Sequence, residues 1–311
     1  MICAYIDQYK HKFGVEPICR VLTEHDIQIA PSSYYAHLRE PVTDALRAEA
    51  ELVNVVIDLH RRNRGVYGIR KIWHAMTQAG HQVGRDQAAR LMAIAGVQGV
   101  SRGQHTTTTT RRGSGEGHSR ADDLIGRDWA APTRPDQWWV ADFTYVWTLI
   151  GFCYISFVVD VYSRRILGWR VSMSKTTALV MSAVEQALFT RRRTDTRFTA
   201  TGLVHHSDAG SQYTSIAFTS ALVEAGIAPS IGTVGDALDN ALMESTIGLY
   251  KTELIDLHRR TWTGPAEVET ETAGWVHWFN TDRLHSSINY QPPITYEQQY
   301  RQTSSPAGEA A

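Results

Sequence analysis

The chain is poor in cysteine: it has three in 311 residues, at Cys3, Cys19 and Cys153. The count is odd and no CxxC pair occurs. That argues against a zinc ribbon, a redox motif or a secreted disulfide scaffold. Long hydrophobic runs are lacking as well. The longest apolar stretch, residues 149–159, is interrupted by Ser156 and is too short for the roughly 20 residues of a membrane helix. The opening MICAYIDQYKHK has neither the charged head nor the apolar run of a signal peptide. The expectation is a cytoplasmic protein. An excess of one charge is also missing: the formal net charge is -1, which gives no global pull toward a polyanion. What remains is ordinary globular composition, 43% hydrophobic and 20% charged, at a length that suggests about two domains.

The distribution of charge says more than its sum. Residues 52–120 carry eleven Arg or Lys against three Asp or Glu, whereas residues 131–311 carry fourteen basic and eighteen acidic residues. Such an asymmetry points to a basic binding segment attached to a more acidic body; on charge alone, a solvated helical surface accounts for it equally well.

Residues 1–99 read as helical, with apolar positions at helix spacing over 13–25, 31–38, 45–60, 68–80 and 86–96. Ser32 or Ser33 is the expected N-cap of the second of these. The joint AGHQVGRD places Gly80 and Gly84 where one helix stops and the next begins. Helix, glycine turn, helix is the sequence form of a helix-turn-helix. The surrounding Arg61, Arg62, Arg64, Arg70, Lys71, Arg85 and Arg90 favour a DNA-facing role over a plain helix pair, because phosphate contacts need such clusters. Residues 100–130 form a linker, rich in Gly, Ser, Thr and Arg near its start and without periodicity.

The next part, 131–300, changes character. Stretches 137–148 and 151–163 are β-rich and joined by a glycine-containing turn, so they read as a hairpin. A third strand follows at 165–172. Helix 175–192, strand 203–207, helix 215–225, strand 228–231 and helix 236–254 come after it. Three consecutive strands followed by alternating helix and strand describe an α/β mixed sheet with helices on its faces. Residues 265–300 read as a helix and a Pro-rich tail, with a disordered end at 301–311.

Three acids stand out. Asp142 interrupts the aromatic strand WWVADFTYVW, where an unpaired carboxylate is expensive to bury. Asp208 ends the short strand LVHHSD, and strand C-terminal ends are where open α/β sheets bind ligands. Glu244 shares one face of the long helix with Asn240 and Lys251, the three lying within about 60° at 100° per residue. Three converging carboxylates suit a hard divalent cation such as Mg²⁺. Two such ions would serve a phosphodiester displacement, with Lys251 free to hold a DNA phosphate.

The strings QWWVADFTYV, FVVDVYSRRILGWRVS, LVHHSDAGSQYTS, GDALDNALMESTIGLYKTELI and WFNTDRLHSSINYQPP resemble the OrfB-type DDE transposases of insertion sequence family three. These belong to the retroviral-integrase, ribonuclease H-like superfamily. Thirty-five residues separate Asp208 from Glu244, and a basic residue, Lys251, follows seven positions after the glutamate; both spacings mark that superfamily. YGIRKIWHAMTQAGHQVGRDQAARLM resembles the helix-turn-helix module preceding the catalytic domain. The resemblance implies a ribonuclease H-like integrase core and two Mg²⁺ or Mn²⁺ ions. It implies cleavage and strand transfer at the terminal inverted repeats of a mobile element and into target DNA. Asp142, Asp208 and Glu244 carry over as catalytic metal ligands. Lys251 carries over as a DNA contact. It further implies a homo-oligomer on double-stranded DNA, with an upstream-frame OrfA product as fusion or partner, and a nucleoid-associated location. The alternative is a DNA-binding regulator of the element with a decayed or partner-dependent catalytic domain.

The chain departs from the family pattern at Ala209, Val234 and Leu238, which bears on local DNA contacts. Other residues have blander readings. His205 and His206 are expected to pack or hydrogen-bond, and Asp160 to form a structural salt bridge with Arg164 or Arg165. Asp236 and Asp239 favour the N-terminal dipole of their helix. Trp138, Trp139, Trp147 and Trp169 are expected in sheet packing. Arg283 and His285 are further candidates for DNA contact.

Overall fold

The computed structural model describes residues 2–39, 43–101, 124, 132–208, 210–232, 241–257 and 260–304. Asn240, Ala209, Val234, Leu238, Asp236 and Asp239, and nearly all of the linker, lie outside the described residues.

The N-terminal part is helical, as its apolar spacing predicts. Helices α1 (Ile2–Phe13), α2 (Val15–Glu24) and α3 (Pro31–Arg39) close a small core of Ile6, Ile18, Cys19 and Tyr34. Helix α3 opens on Pro31 itself, a residue suited to a first helical position, so neither Ser32 nor Ser33 precedes it as a cap. Helix α4 (Asp44–Arg62) is capped by Thr43, whose hydroxyl accepts from the Leu46 amide at 3.2 Å. Helices α5 (Ile69–Gln78) and α6 (Arg85–Ala95) follow. Gly80, at φ 89°, makes the left-handed turn out of α5 that the joint predicts.

The α4–α6 unit is not a free-standing module. Val56, Tyr67, Ile72, Met76 and Leu91 belong to the same buried cluster as Trp275, Trp278 and Phe279 from the far end of the chain. Polar contacts bind the seam: the Leu284 amide donates to the Tyr67 hydroxyl at 2.7 Å, and the Trp278 indole donates to Asn63 Oδ1 at 3.3 Å.

Strands β1 (Trp138–Thr148), β2 (Gly151–Asp160) and β3 (Ile166–Ser172) run antiparallel. After α7 (Thr177–Thr194), strands β4 (Val204–Ser207) and β5 (Ala228–Ile231) join parallel to β1, with α8 (Ile216–Glu224) between them. The sheet order is β3-β2-β1-β4-β5. This is the predicted mixed sheet. Alternation along β1 splits its side chains between two layers. Trp139 and Ala141 pack toward α7 and α8, while Val140 and Val146 pack toward α9 (Ala241–Tyr250) and α10 (Pro265–Thr281).

Two stretches differ from expectation. The long helix ends at Tyr250 and winds into a π-helical turn, Lys251–Ile255. The Pro-rich stretch after α10 is no tail: a short 3₁₀ turn leads into α11 (Pro293–Ser304). Proline opens α11, as it does α10, because the first helical turn needs no amide donor. Helix α11 is held by the buried Glu297, so the chain stays ordered through Ser304, past the start of the expected disordered end.

Helix α7 lies directly on β3 because Gly168 has no side chain. A Cβ there would stand 2.0 Å from the Ala183 carbonyl oxygen. Gly168→Ala is expected to lower stability by about 1–3 kcal/mol through overpacking, read as a lower urea midpoint at unchanged slope.

Candidate active site

The site begins with a mismatch in strand length. Strand β4 pairs with β1 from Trp138 opposite Val204 to Ala141 opposite Ser207, and then stops. The next residues on the two strands are Asp142 and Asp208. Neighbouring strands lie about 4.8 Å apart, so the sheet's own register sets two carboxylates side by side at the C-terminal end of β4. Ligands bind at this edge in α/β sheets.

Each acid is anchored by a backbone amide. Phe143 N–H donates to Asp142 Oδ1 at 2.7 Å, and Gly210 N–H donates to Asp208 Oδ1 at 3.1 Å. Glu244 lies exposed in the first turn of α9, whose Met243 and Tyr250 are buried in the core. The packed side of α9 thus holds the helix while Glu244 stays accessible.

The charges of all three meet at Asp142. Burial holds its carboxyl well above the usual range; the negative charge of Asp208 and then of Glu244 adds to this, and the Phe143 amide partly opposes it. Asp208 reaches solvent, yet the protein around it still raises its pKa by desolvation, against the Gly210 amide and the charge of His206. No Lys or Arg occurs between Arg197 and Lys251, so this stretch supplies acids without bases. Among the described residues, no three His, Cys, Asp or Glu side chains stand close enough to ligate one ion. Asp142 feels the charge of Asp208 and of Glu244 without the three forming a closed shell.

A shell of buried groups supports the edge. Tyr213 packs against Phe143, His205 and Phe218, and its phenol is raised well above its ordinary value, by burial first and then by Asp142 and Asp208. Sequence alone does not single out Tyr213; its place five residues after Asp208 is the available signal. His205 and His206 are buried, in keeping with their structural reading. His205 is lowered to about 4, chiefly by burial, and is neutral at pH 7. His206 Nδ1 lies 2.8 Å from the Ser230 hydroxyl.

The candidate DNA contacts fare unevenly. Lys251 opens the π-helical turn, donates to the Tyr145 carbonyl and sits 5.0 Å from the Tyr145 ring centroid. Arg70, Arg85 and Arg90 are exposed. Arg85 pairs with Asp86 at 3.3 Å and Arg90 with Glu49 at 2.6 Å. Lys71 is half-buried and lies over Tyr67, 4.9 Å from the ring centroid. Burial and the charge of Arg283 lower it to about 7, against the pull of Glu253. Asn240 lies outside the described residues.

Two other readings are corrected. Arg283 and His285 are buried, and Arg283 makes a two-pronged pair with Glu253 at 2.6 and 2.8 Å; neither side chain is presented to DNA. Asp160 pairs with Arg191 at 3.6 Å, while Arg165 pairs with Glu297. Trp139 is buried, and Trp147, 65% exposed at the β1–β2 hairpin, packs edge-on against its cross-strand partner Phe152 at 4.7 Å, in keeping with sheet packing.

The raised pKa of Asp142 gives a stability test. The folded state holds this proton more tightly than the unfolded chain, so its contribution falls as pH rises from the ordinary carboxylate range through the raised value. Asp142→Asn is expected to melt higher than the parent at about pH 8 without metal, with the gap closing toward about pH 4. Scanning fluorimetry over that range checks it; a gap independent of pH contradicts it.

Comparisons with known proteins agree with this layout. The Integrase core domain family matches residues 132–237, a second Integrase core domain family matches 225–293, and an HTH-like domain matches 47–105. The transposase for insertion sequence element IS629 of Shigella sonnei is 42% identical over 301 residues, covering 95% of each chain. A putative transposase for insertion sequence element IS986/IS6110 of Mycobacterium tuberculosis is 45% identical over 273 residues, covering 88% of this chain and 96% of the relative. Among solved structures, the HTLV-2 integrase catalytic core domain in complex with magnesium aligns with a TM-score of 0.40 at 16% identity, over 53% of this chain and 98% of that one. The family and relative matches favour the transposase reading over that of a bare DNA-binding regulator. The chain belongs to the transposases of insertion sequence family three, within the integrase-core, ribonuclease H-like superfamily.

Proposed function

We propose that Asp142, Asp208 and Glu244 are the catalytic carboxylates of a DDE polynucleotidyl transferase. It would cleave DNA strands at the ends of an insertion sequence and join them to a target. One observation carries the reading: two acids adjacent in register, Asp142 and Asp208, share their electrostatic field with Glu244 from a separate helix.

The donor set fits Mg²⁺ or Mn²⁺, two ions in all. It is made of carboxylate oxygens, which hard cations prefer, and its negative charge is not matched by Lys or Arg within 198–250. Bound ions would stabilise the attacking and leaving oxygens of the phosphodiester displacement. The side chains of Asp142, Asp208 and Glu244 would hold them. Asp142 gives up its raised-pKa proton when it ligates, so ion affinity rises with pH. The Phe143 and Gly210 amides orient one oxygen of each aspartate and leave the other available. Tyr213 and the neutral His205 are buried beside that edge.

Lys251 would hold a DNA phosphate. Its ammonium is already turned to the open edge of β1 through the Tyr145 carbonyl. Exposed Arg70, Arg85 and Arg90 on α5 and α6 would contact the terminal repeat, and Asn240 would support Glu244. A homo-oligomer on DNA, an OrfA partner and a nucleoid-associated, cytoplasmic location belong to the same reading.

Asp142→Asn, Asp208→Asn and Glu244→Gln are each expected to reduce metal-dependent cleavage of a terminal-repeat duplex by roughly 10²–10³-fold or more, with circular dichroism unchanged. Near-parental cleavage by any one of them removes that residue from the catalytic set.

A further inference from the structure

A strongly basic recess lies at the opposite end of the α/β body from the carboxylates. Helix α7 connects the two ends. Its N-terminus sits by the loop that follows Asp208: Thr177 Oγ1 is 3.3 Å from Ser215 Oγ, and Gln212 donates to the Lys175 carbonyl at 3.0 Å. Its last turn carries Arg191, Arg192 and Arg193. The helix has 18 residues, so the ends are about 27 Å apart.

The recess, about 470 Å³, is lined by Arg193, Arg197 and Arg301, with Thr194, Thr196 and Ser304 between them. Arg192, Arg193 and Arg197 are exposed, and Arg134 is exposed at the same end of the sheet, ahead of β1. Asp195, 4.0 Å from Arg301, is the one acid among the described residues lining the recess. Arg191 is not part of this surface; it is buried and satisfied by Asp136, Asp160 and Glu297.

Arginines in the last turn of a helix complement its dipole. That accounts for Arg192 and Arg193, but not for Arg197 or Arg301, which converge on the same recess from a loop and from α11. Guanidinium groups interleaved with hydroxyls are the groups that contact phosphate and sugar in protein–DNA complexes. The cores of protein interfaces want exposed aromatic or apolar anchors instead. Tyr300, the aromatic lining residue, is already packed on Tyr162 at 5.4 Å. Nor could one duplex easily serve both ends. DNA is stiff over about 150 bp, and it would have to bend sharply round the sheet and α7.

We propose that this recess is a second DNA-backbone site, holding the phosphates of a duplex other than the one at the carboxylates. The proposal rests on the reading that the chain acts on DNA. It assigns to one subunit a place for each of two duplexes.

The test uses the full chain and the double variant Arg193→Ala/Arg197→Ala. Binding of a fluorescent duplex of unrelated sequence is titrated against salt. The slope of log K against log[salt] is expected to flatten by about 0.9 for each phosphate the variant no longer neutralises, and Arg193→Lys/Arg197→Lys is expected to restore it. Cleavage of a single short terminal duplex, which takes place at the carboxylates, should stay within about twofold of the parent. An unchanged salt slope overturns the proposal. So does a tenfold loss of cleavage, or a shift from oligomer to monomer at unchanged duplex affinity, which would make the recess a protein contact. Absence of cleavage by the parent chain would sink the catalytic reading instead, and the salt slope would still decide this one.

Discussion

Repulsion between two carboxylates on adjacent parallel strands is the constraint from which the site is built. Register puts Asp142 beside Asp208 because β4 ends at Ser207 while β1 continues. Everything else at that edge either tolerates the repulsion or adds to it. Two amides each stabilise one oxygen. Tyr213 and His205 are buried next to that edge. Helix α9 adds the charge of Glu244 from the other side of the cleft. A fold under selection for stability alone would place a cation or an apolar pair here.

The opposite end of the sheet shows what the same chemistry looks like when it is structural. Asp136, Asp160 and Glu297 also crowd together in the interior, but Arg191 is threaded among them and Arg165 joins at the side. Glu297 is drawn down to about 2 by these arginines despite its burial, while Asp160 stays raised to about 6 because desolvation outweighs Arg191. Such a buried network is strongly destabilised by the loss of one partner. It pins α11 to the sheet and closes the chain's end over the core. Two acidic clusters on one sheet therefore have opposite roles, and matching arginines distinguish them.

Much of this is legible in the sequence, because the responsible signals are local. The β hairpin, the alternation of helix and strand after it, and the position of Asp208 at a strand end all follow from periodicity and turn residues. The motif spacing between Asp208 and Glu244 does the rest. What cannot be read depends on contacts between distant segments. Lys71 lies in a basic helix, and the seam with Arg283 and Glu253 half-buries it. Asp160 has arginines nearby in sequence, yet its partner comes from α7. Residues after Pro292 read as a tail because proline is a breaker inside a helix; at a helix start it is not, and the buried Glu297 gives α11 its anchor.

The proposed catalysis at this edge requires that the three acids close around a cation. Crystals of the full chain soaked in Mn²⁺ and measured at the manganese absorption edge give the most direct test. The expected result is anomalous peaks bounded by the side chains of Asp142, Asp208 and Glu244. Manganese bound elsewhere, with that edge of the sheet empty at saturating concentration, would contradict it.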